Sequence, residues 1–217
     1  MEFTEFWTIL STNNIILDVN QIEQFKRFEN ELKYWNNKVN LISRKDEDNI
    51  LERHFIHSLS ILKYIDLPKK VRCLDFGTGG GFPGIPLKIA MPDIFMTLCD
   101  SIKKKLKIAE IFALHTGLKN FNFECSRVEE LDKKYYKRFD FIFARAVAKT
   151  NLLVEWTLPF LKNNGKFVFL KGGALEEEIA EVQKKHPNLN VEEIQIDMLD
   201  CPWFKNEEKK IIIINKK

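Results

Sequence analysis

The residues best suited to chemistry lie in one glycine-rich stretch, LDFGTGGGFPGIP, which runs from residue 74 to residue 86. Five of the nine glycines of the 217-residue chain fall in these thirteen residues, together with two prolines. Glycine adopts positive φ and lets a ligand approach the backbone without a Cβ in the way. The free N–H groups at a helix start favour a negatively charged or hydrogen-bonding ligand group. The stretch therefore predicts a ligand-binding turn that opens a helix.

The spacing of the glycines narrows the class of ligand. The pattern is Asp75-x-Gly77-x-Gly79-x-Gly81, and Phe82 stands where a dinucleotide-binding turn would place its last glycine. A carboxylate ahead of the glycines, at Asp75, suits a ligand that carries a positive ammonium group. The methionine part of S-adenosylmethionine (SAM) is such a group. We therefore expect SAM as the cofactor, S-adenosylhomocysteine as its product, and no metal.

Two further segments complete a nucleoside site. Asp100 ends the next predicted strand, where an acid can accept hydrogen bonds from both ribose hydroxyls; capping of the following helix is its other reading, and the two are compatible. The segment CSRVEE, at 125–130, would lie beside the adenine. There Val128 could cover the ring, and Glu129 or a backbone group could read the amino group. A solvated turn that feeds a short helix is the alternative for this segment.

The elements that must position these residues alternate along the chain after residue 66. Such alternation predicts a parallel sheet with helices on both faces and right-handed crossovers. The last strand follows another strand directly, so we expect an antiparallel partner at the edge. The predicted strands are 71–75, 95–99, 120–124, 139–143, 166–170, 190–196 and 209–214, and the predicted helices are 84–90, 102–116, 147–161 and 174–185.

The first 66 residues are predicted to be helical. Apolar residues recur at spacings of three and four from Ile22 to Trp35, and again over residues 47–65. Asn20 is the predicted cap of the first of these helices, with Glu23 three residues on. The predicted organisation is an N-terminal helical extension, 1–66, and a SAM-binding methyltransferase domain, 67–217. The fold class is α/β, a class I SAM-dependent methyltransferase with a mostly parallel seven-stranded Rossmann-like sheet.

Composition limits the classes of function. Net charge is +3, yet residues 1–66 carry eight Lys/Arg against eleven Asp/Glu, so the remainder is weakly basic. This permits a polyanionic partner without requiring one. No apolar run is long enough to span a membrane, and the N-terminus has no secretory pattern. None of the four cysteines forms a C-x-x-C pair, which favours buried thiols in a reducing cytoplasm over zinc or redox chemistry.

With these pieces in place, the sequence resembles the RsmG (GidB) family, bacterial methyltransferases that act on N7 of a guanine in small-subunit ribosomal RNA. The resemblance covers roughly residues 20 to 175. Its most specific part is the stretch NLISR…ERHF…HSL within 35–59, which generic SAM enzymes lack. The other matching segments are LDFGTGGGFPGIPLKIAMPD (74–93), LCDSIKKKLKI (98–108), SRVEEL (126–131), FDFIFARAVA (139–148) and GKFVFLKG (165–172).

The resemblance implies roles for particular residues. SAM contacts are implied at Gly77, Phe82, Val128, Glu129 and Arg145. Arg44, Arg53, His54 and Lys171 sit in family motifs near the expected RNA face. The implied partner is 16S ribosomal RNA or the small ribosomal subunit, with the protein acting as a cytoplasmic monomer. The full candidate set for the cofactor is Asp75, Gly77, Thr78, Gly79, Gly81, Phe82, Asp100, Ser101, Arg127, Val128, Glu129 and Arg145.

The chemistry expected of this family agrees with the residues of the loop after the fourth strand, FARAVAKT. This loop has neither the Asn-Pro-Pro-Tyr type sequence used for exocyclic amines nor a cysteine nucleophile for pyrimidine C5. Guanine N7 already carries a lone pair, so its methylation needs no general base and can rest on positioning. Arg145 is the candidate catalytic residue, and Lys149 is a candidate for substrate contact on the same loop.

Three other functions fit part of the pattern. A nicotinamide-dependent oxidoreductase is disfavoured by Phe82. A methyltransferase for another RNA, protein or small molecule is disfavoured only by the NLISR…ERH segment. A non-catalytic RNA-binding assembly factor would keep the fold and bind RNA without transferring a methyl group. The lysines of IKKKLK, 102–107, fit either RNA binding or an ordinary solvated helix face.

Overall fold

A computed structural model describes all 217 residues and contains one seven-stranded mixed sheet. The strand order is β3-β2-β1-β4-β5-β7-β6, and the first five strands in this order pair in parallel. The order reverses between β1 and β4, so the carboxyl ends of these two strands flank the crevice where an open α/β sheet binds its ligand. The strands are β1 (Arg72–Phe76), β2 (Phe95–Cys99), β3 (Phe121–Glu124), β4 (Phe139–Arg145), β5 (Leu161–Gly172), β6 (Leu189–Gln195) and β7 (Lys209–Lys216).

The predicted α/β class and the mostly parallel seven-stranded sheet are confirmed. The expected antiparallel partner of the last strand at the sheet edge is also confirmed. β7 lies between β5 and β6 and is antiparallel to both, and β6 forms the sheet edge. The four consecutive isoleucines of β7, 211–214, explain this place, because all four are buried, as expected of a strand covered on both faces.

Helices cover both faces of the sheet, and short 3₁₀ or π turns join several of them. The helices are α1 (Phe3–Thr12), α2 (Val19–Asn36), α3 (His57–Leu59), α4 (Ile61–Tyr64), α5 (Gly84–Ala90), α6 (Lys103–His115), α7 (Thr150–Thr157), α8 (Glu176–Lys185) and α9 (Trp203–Asn206). None of the helices is long and apolar enough to cross a membrane.

The N-cap of helix α2 lies two residues before the predicted cap. Asp18, not Asn20, is the N-cap: its Oδ1 accepts from the Gln21 backbone N–H at 2.8 Å, and Gln21 Oε1 accepts from the Asp18 backbone N–H at 2.8 Å. This reciprocal pair is a capping box in which glutamine replaces the usual glutamate. The prediction from Asn20 and Glu23 was therefore wrong in register, although the apolar stripe was correctly placed.

Residues 44–64 form several short helical pieces instead of one long helix. A 3₁₀ segment, Arg44–Asn49, is followed by a π-helical segment, Leu51–Ile56, and then by α3 and α4. π-helical turns are rare and are frequent at functional sites. This one carries Arg53 and His54, which changes the direction of their side chains relative to a regular helix.

The N-terminal helices pack directly against the α/β body. Phe28 of α2 lies 5.4 Å from Phe82 and 5.0 Å from Phe112 between ring centroids, and Phe55 stacks on Phe28 at 5.2 Å. One continuous hydrophobic cluster contains residues of α1 and α2 together with residues of β1, β2 and β7. The boundary at residue 66 stays a prediction, and the two predicted units share a core.

Candidate functional site: a donor cavity and an acceptor cleft

The glycine turn leaves β1 at Phe76 and enters α5 at Gly84. Gly77, Gly79 and Gly81 have φ of 66°, 54° and 93°, in the left-handed region that favours glycine. A Cβ on Gly77 would stand 2.6 Å from Val147 Cγ2, so the turn also packs closely against the loop after β4. The backbone N–H groups of Gly77 and Thr78 both donate to Cys99 O, at 2.9 and 3.1 Å, which joins the turn to β2.

Asp75 closes the turn from inside. Its Oδ2 accepts hydrogen bonds from Thr78 Oγ1 at 2.6 Å and from the Gly84 backbone N–H at 2.8 Å. The side chain is fully buried, and burial raises the pKa of Asp75 to about 7. Asp75 lines neither of the cavities described below, so its contact with a ligand ammonium group stays a prediction. In the structure it is the internal acceptor that shapes the turn.

A cavity of about 300 Å³ opens on one side of the turn; we call it the donor cavity. Asp100 lies on its wall, where Oδ2 accepts from the Gly79 backbone N–H and Oδ1 from the Ile102 backbone N–H, both at 2.8 Å. Asp100 therefore faces the cavity, but it does not cap α6, whose N-cap is Ile102 with no side-chain cap hydrogen bond. The cavity is lined by Phe76, Gly77, Asp100, Ser101, Ser126, Arg127, Val128, Glu129, Ala146 and Val147.

The donor cavity fits the nucleoside part of SAM. It combines a glycine backbone with no room for a Cβ, an acid at the end of β2, and the apolar side chains of Val128 and Val147. These are the groups needed to admit a ribose, accept from its hydroxyls and cover a purine ring. Of the residues predicted to bind the cofactor, Gly77, Asp100, Ser101, Arg127, Val128 and Glu129 lie together here.

A second, larger cavity of about 540 Å³ opens on the other side of the turn; we call it the acceptor cleft. Its walls come from five parts of the chain: the glycine turn, the segment 41–57, Lys105 of α6, the end of β4, and the segment from Trp203 to Lys209. Gly77 and Ala146 line both cavities, so the two meet there. The cleft is lined by Leu41, Ile42, Ser43, Asp46, Arg53, His54, His57, Gly77, Thr78, Gly79, Gly80, Phe82, Lys105, Arg145, Ala146, Trp203, Glu207 and Lys209.

Arg145, the last residue of β4, lines the acceptor cleft. Its guanidinium carbon is 4.7 Å from the centroid of the Phe82 ring, a cation–π contact, and its Nη1 donates to Arg53 O at 3.3 Å. Burial lowers the pKa of Arg145 to about 10, against the opposing charges of Asp75 and Asp46, and the side chain is still a cation at neutral pH. Phe82 and Arg145 line the cleft and not the donor cavity, so their contact with the cofactor stays a prediction.

Arg53 and His54 line the same cleft, and both lie next to the carboxylate of Asp46. Arg53 Nη1 donates to Asp46 Oδ1 at 2.6 Å, which raises the pKa of Arg53, while His54 Nε2 lies 3.7 Å from Asp46 Oδ2. His54 is 6% exposed, and burial, together with the charges of Arg145, His57 and Arg53, lowers its pKa to about 2. Neither ring nitrogen of His54 has a hydrogen-bond partner. His54 is thus a neutral imidazole that faces the cleft with free polar atoms.

Three predicted substrate residues lie outside both cavities. Arg44 and Lys149 are exposed, and neither lines a cavity. Lys171 is turned inward: its Nζ donates to Ala148 O at 2.7 Å and pairs with Glu178 at 2.9 Å. The contact of Lys171 with RNA stays a prediction, and in the structure its charge holds the loop after β4.

The structure also brings to the cleft residues that sequence reasoning missed. Asp46 and His57 lie within the NLISR…HSL stretch, so their motif was the available signal. Glu207, Lys209 and Trp203 come from the far end of the chain and carried no recognisable pattern. Lys105 belongs to the IKKKLK segment, whose lysines fit either RNA binding or an ordinary solvated helix face. It is the lysine of that segment that lines the cleft.

The fold is that of class I SAM-dependent methyltransferases. A SAM-dependent methyltransferase from Aquifex aeolicus superposes with a TM-score of 0.58 at 18% identity, over 79% of this chain and 94% of that one. The YcgJ protein of Bacillus subtilis gives the same TM-score at 18% identity over 75% of this chain and 99% of that one. At these identities the likeness shows the fold.

Comparison of sequences gives the family. Residues 21–207 match the family GidB, described as rRNA small subunit methyltransferase G, and the chain belongs to this family. Relatives named Ribosomal RNA small subunit methyltransferase G include those of Alkaliphilus oremlandii, 36% identical over 94% of this chain and 85% of the relative, and Halalkalibacterium halodurans, 35% identical over 100% and 91%. A Clostridium novyi relative is 39% identical over 82% of this chain and 76% of its own length. The resemblance inferred from the motifs is confirmed.

Proposed function

We propose that this protein transfers a methyl group from SAM to N7 of a guanine in 16S ribosomal RNA. The observation that carries the proposal is the meeting of the two cavities at Gly77 and Ala146. One cavity suits a nucleoside, and the other is lined by Arg53, Lys105 and Lys209, which suit a polyanion. The names of the relatives supply the substrate class, ribosomal RNA of the small subunit.

The residues of the acceptor cleft fit a reaction that needs no base. Bound SAM would supply an electrophilic methyl group on its sulfonium. Guanine N7 offers its own lone pair, so the protein has only to hold the ring at the junction of the cavities. No cysteine lines the cleft, so it offers no thiol nucleophile for pyrimidine C5, and the pKa of His54, lowered to about 2, makes that imidazole a weak base.

Arg145 fits the part of the cation that stabilises and orients the acceptor. It stands at the end of β4 beside Ala146, on an aromatic platform formed by Phe82, and its hydrogen bond to Arg53 O ties it to the N-terminal segment. A guanidinium donates well to guanine O6, which adjoins N7 on the same base edge. We infer that Arg145 is the catalytic residue in this sense.

The direct test is methyl transfer from labelled SAM to small-subunit RNA that lacks this modification. We expect incorporation at one guanine, and mapping by cleavage at N7-methylguanine locates it. Label at another atom or in another class of RNA would contradict the proposed acceptor. RNA binding without label, with SAM shown by calorimetry to be bound, would indicate a non-catalytic assembly factor instead.

We also infer that the protein works as a monomer in the cytoplasm. All four cysteines are free thiols, three of them buried, as in a reducing compartment. Sedimentation in reducing buffer is expected to give the mass of one chain. A dimer mass at working concentration would overturn the monomer proposal without affecting the chemistry.

A further inference from the structure

One carboxylate in the acceptor cleft is held in place by a hydrogen bond to only one of its two oxygens. Asp46 lies in the 3₁₀ segment Arg44–Asn49 and lines the cleft. Its Oδ1 accepts from Arg53 Nη1 at 2.6 Å, while its Oδ2 is 3.7 Å from His54 Nε2, beyond hydrogen-bond distance. The Asp46 side chain is 24% exposed and lines the cleft, and no hydrogen bond to its Oδ2 is made within the chain.

An acid at this place opposes the remaining charge of the cleft. Arg53, Lys105, Arg145 and Lys209 make the cleft cationic, which suits the RNA backbone, whereas a carboxylate repels phosphate. A carboxylate gains in such a site by accepting hydrogen bonds from a base. Guanine presents two neighbouring donors, N1–H and the N2 amino group, on one edge, and its acceptors O6 and N7 lie on another.

We propose that Asp46 is the specificity-determining residue that reads the N1–H and N2 amino edge of the acceptor guanine, with Arg53 holding its carboxylate in position. The inference rests on the proposed function, because it takes guanine as the acceptor. With Asp46 bound to that edge, the ring turns its N7 edge away from the segment 41–57. The glycine turn and the end of β4, where the two cavities meet, form other walls of the same cleft.

Asp46 is better prepared for this role than Glu207, the other acid of the cleft. The Glu207 side chain is 55% exposed, and its nearest cation, Lys209, is 3.9 Å away. Asp46 is less exposed and is fixed by a short ion pair, and a preorganised acceptor loses less freedom when it binds. The neutral His54 beside Asp46 leaves the carboxylate charge available to the base.

The experiment compares guanine with inosine at the acceptor position mapped above, since inosine lacks only the N2 amino group. kcat/KM for methyl transfer is measured on both RNAs with the wild type, Asp46→Ala and Asp46→Asn. Glu207→Gln removes the other acid of the same cleft. Asp48→Asn, an exposed residue of the same 3₁₀ segment, is the control for a general loss of charge. Thermal unfolding and calorimetric SAM affinity check that each variant keeps its fold and donor cavity.

The wild type is expected to prefer guanine over inosine by about tenfold, in line with the loss of one hydrogen bond of a two-point contact. Asp46→Ala should bring the guanine-to-inosine ratio of kcat/KM to within about twofold, while its SAM affinity stays unchanged. Asp46→Asn should have the same effect, because its amide N–H₂ group can face the N–H donors of the base, and two donors do not bind each other. Glu207→Gln should keep the wild-type ratio whatever its overall rate, and Asp48→Asn should keep both ratio and rate.

Several results would overturn the inference. An equal loss on both RNAs in Asp46→Ala, with the ratio preserved, would make Asp46 only a support for Arg53. Loss of the ratio in Glu207→Gln would move the reading role to that residue. A wild type that does not distinguish the two RNAs would show that the N2 edge is not read. A wild type that transfers no methyl group to guanine N7 would instead defeat the proposed function.

Discussion

Arg145 is the single residue on which the proposed chemistry depends most. Its guanidinium rests on Phe82 and borders the junction of the two cavities. Arg145→Ala should lower kcat/KM by about a hundredfold, the scale of the loss when the acceptor is no longer held in its reactive position. SAM affinity should change by less than about twofold, because Arg145 lines the cleft and not the donor cavity.

Steady-state kinetics and calorimetry on the same preparation test this expectation. Arg138→Ala removes an exposed arginine next to the opposite end of β4 and serves as the matched control. A large fall in SAM affinity in Arg145→Ala would favour the cofactor contact implied by the family. Unchanged turnover would remove Arg145 from the mechanism altogether.

Gly77 carries both a conformational and a packing requirement. Its φ is 66°, and a Cβ would lie 2.6 Å from Val147 Cγ2. Gly77→Ala should lower the free energy of unfolding by about 1–3 kcal/mol and weaken SAM binding at least about tenfold, because either the turn or the loop after β4 must shift.

Gly173→Ala separates these two requirements. Gly173 has φ of 74°, yet nothing lies within 4 Å of its added Cβ, so only the backbone strain remains. We expect a cost of about 1 kcal/mol in chemical denaturation and unchanged SAM affinity. Equal SAM affinities in the two variants would show that contact with Val147 does not shape the donor cavity.

At the scale of elements, the loop between β4 and α7 is held by a small ion-pair network. Lys171 of β5 donates to Ala148 O, and Glu178 of α8 accepts from Lys171 and from both N–H and Oγ1 of Thr150. Burial works against ionisation of Glu178, but the hydrogen bonds from Thr150 and Lys171 outweigh it and lower its pKa. β5 and α8 thus position a loop that lines both cavities.

Lys171→Met should therefore act through this loop. We expect a loss of about 1–3 kcal/mol in the free energy of unfolding, because Glu178 loses its charged partner in a half-buried site. SAM affinity and turnover should fall together, since Ala146 borders both cavities. Lys185→Met, at the end of α8, breaks the exposed ion pair with Glu155 of α7 and should lower the free energy of unfolding by less than about 1 kcal/mol. Loss of RNA affinity alone in Lys171→Met would restore its predicted role as an RNA contact.

At the scale of the whole molecule, buried titratable groups couple stability to pH. Burial is the main cause that lowers the pKa of His54 to about 2 and that of His57 well below its ordinary value, so the folded protein binds fewer protons there than the unfolded chain below pH about 6.5. Asp75 acts in the opposite sense. Its raised pKa of about 7 lets the folded state keep a proton that the unfolded chain releases above pH about 4.

Between pH about 4 and 6, unfolding lets the two histidines bind two protons and lets Asp75 release one, so the chain takes up one proton in net terms. From these groups the free energy of unfolding should fall by about 1.4 kcal/mol for each unit of pH below 6. Urea unfolding at pH 6.0, 5.5, 5.0 and 4.5 measures this slope, and His54→Gln should flatten it. An unchanged slope in that variant would mean that His54 titrates normally in the folded protein.

The helical extension is predicted to be necessary for the fold of the remainder. Phe28 and Phe55 pack on Phe82 of the glycine turn, and Phe28 also packs on Phe112 of α6. A fragment of residues 67–217 would expose the rings of Phe82 and Phe112 to water. Each large apolar side chain exposed in this way costs about 1.5–3 kcal/mol of stability. Circular dichroism should show no cooperative thermal transition for this fragment. A sharp transition would establish the predicted boundary at residue 66 as that of an independent domain.

Local sequence was a good guide wherever periodicity or a tight turn governs the structure. The helix predicted at 84–90 has the bounds of α5, and the ends of β1, β2 and β3 lie within one residue of their predicted positions. Errors arose where distant contacts decide the outcome. The region 47–65 is apolar at helical spacing, but it forms 3₁₀, π and short α pieces, because it must fit against the glycine turn and α1 together.

The sequence by itself determined the glycine turn, the alternation of strands and helices, the acid at Asp100 and the family, because each depends on residues close together along the chain. Only the tertiary structure decided which charges face the acceptor cleft. Asp46 and Glu207 stand 161 positions apart in the sequence and line one cavity, while Lys171, from a matching motif, is turned inward to Glu178. The physical reason is that a charged side chain follows its nearest partner and its access to water, and both are set by the packing of distant elements.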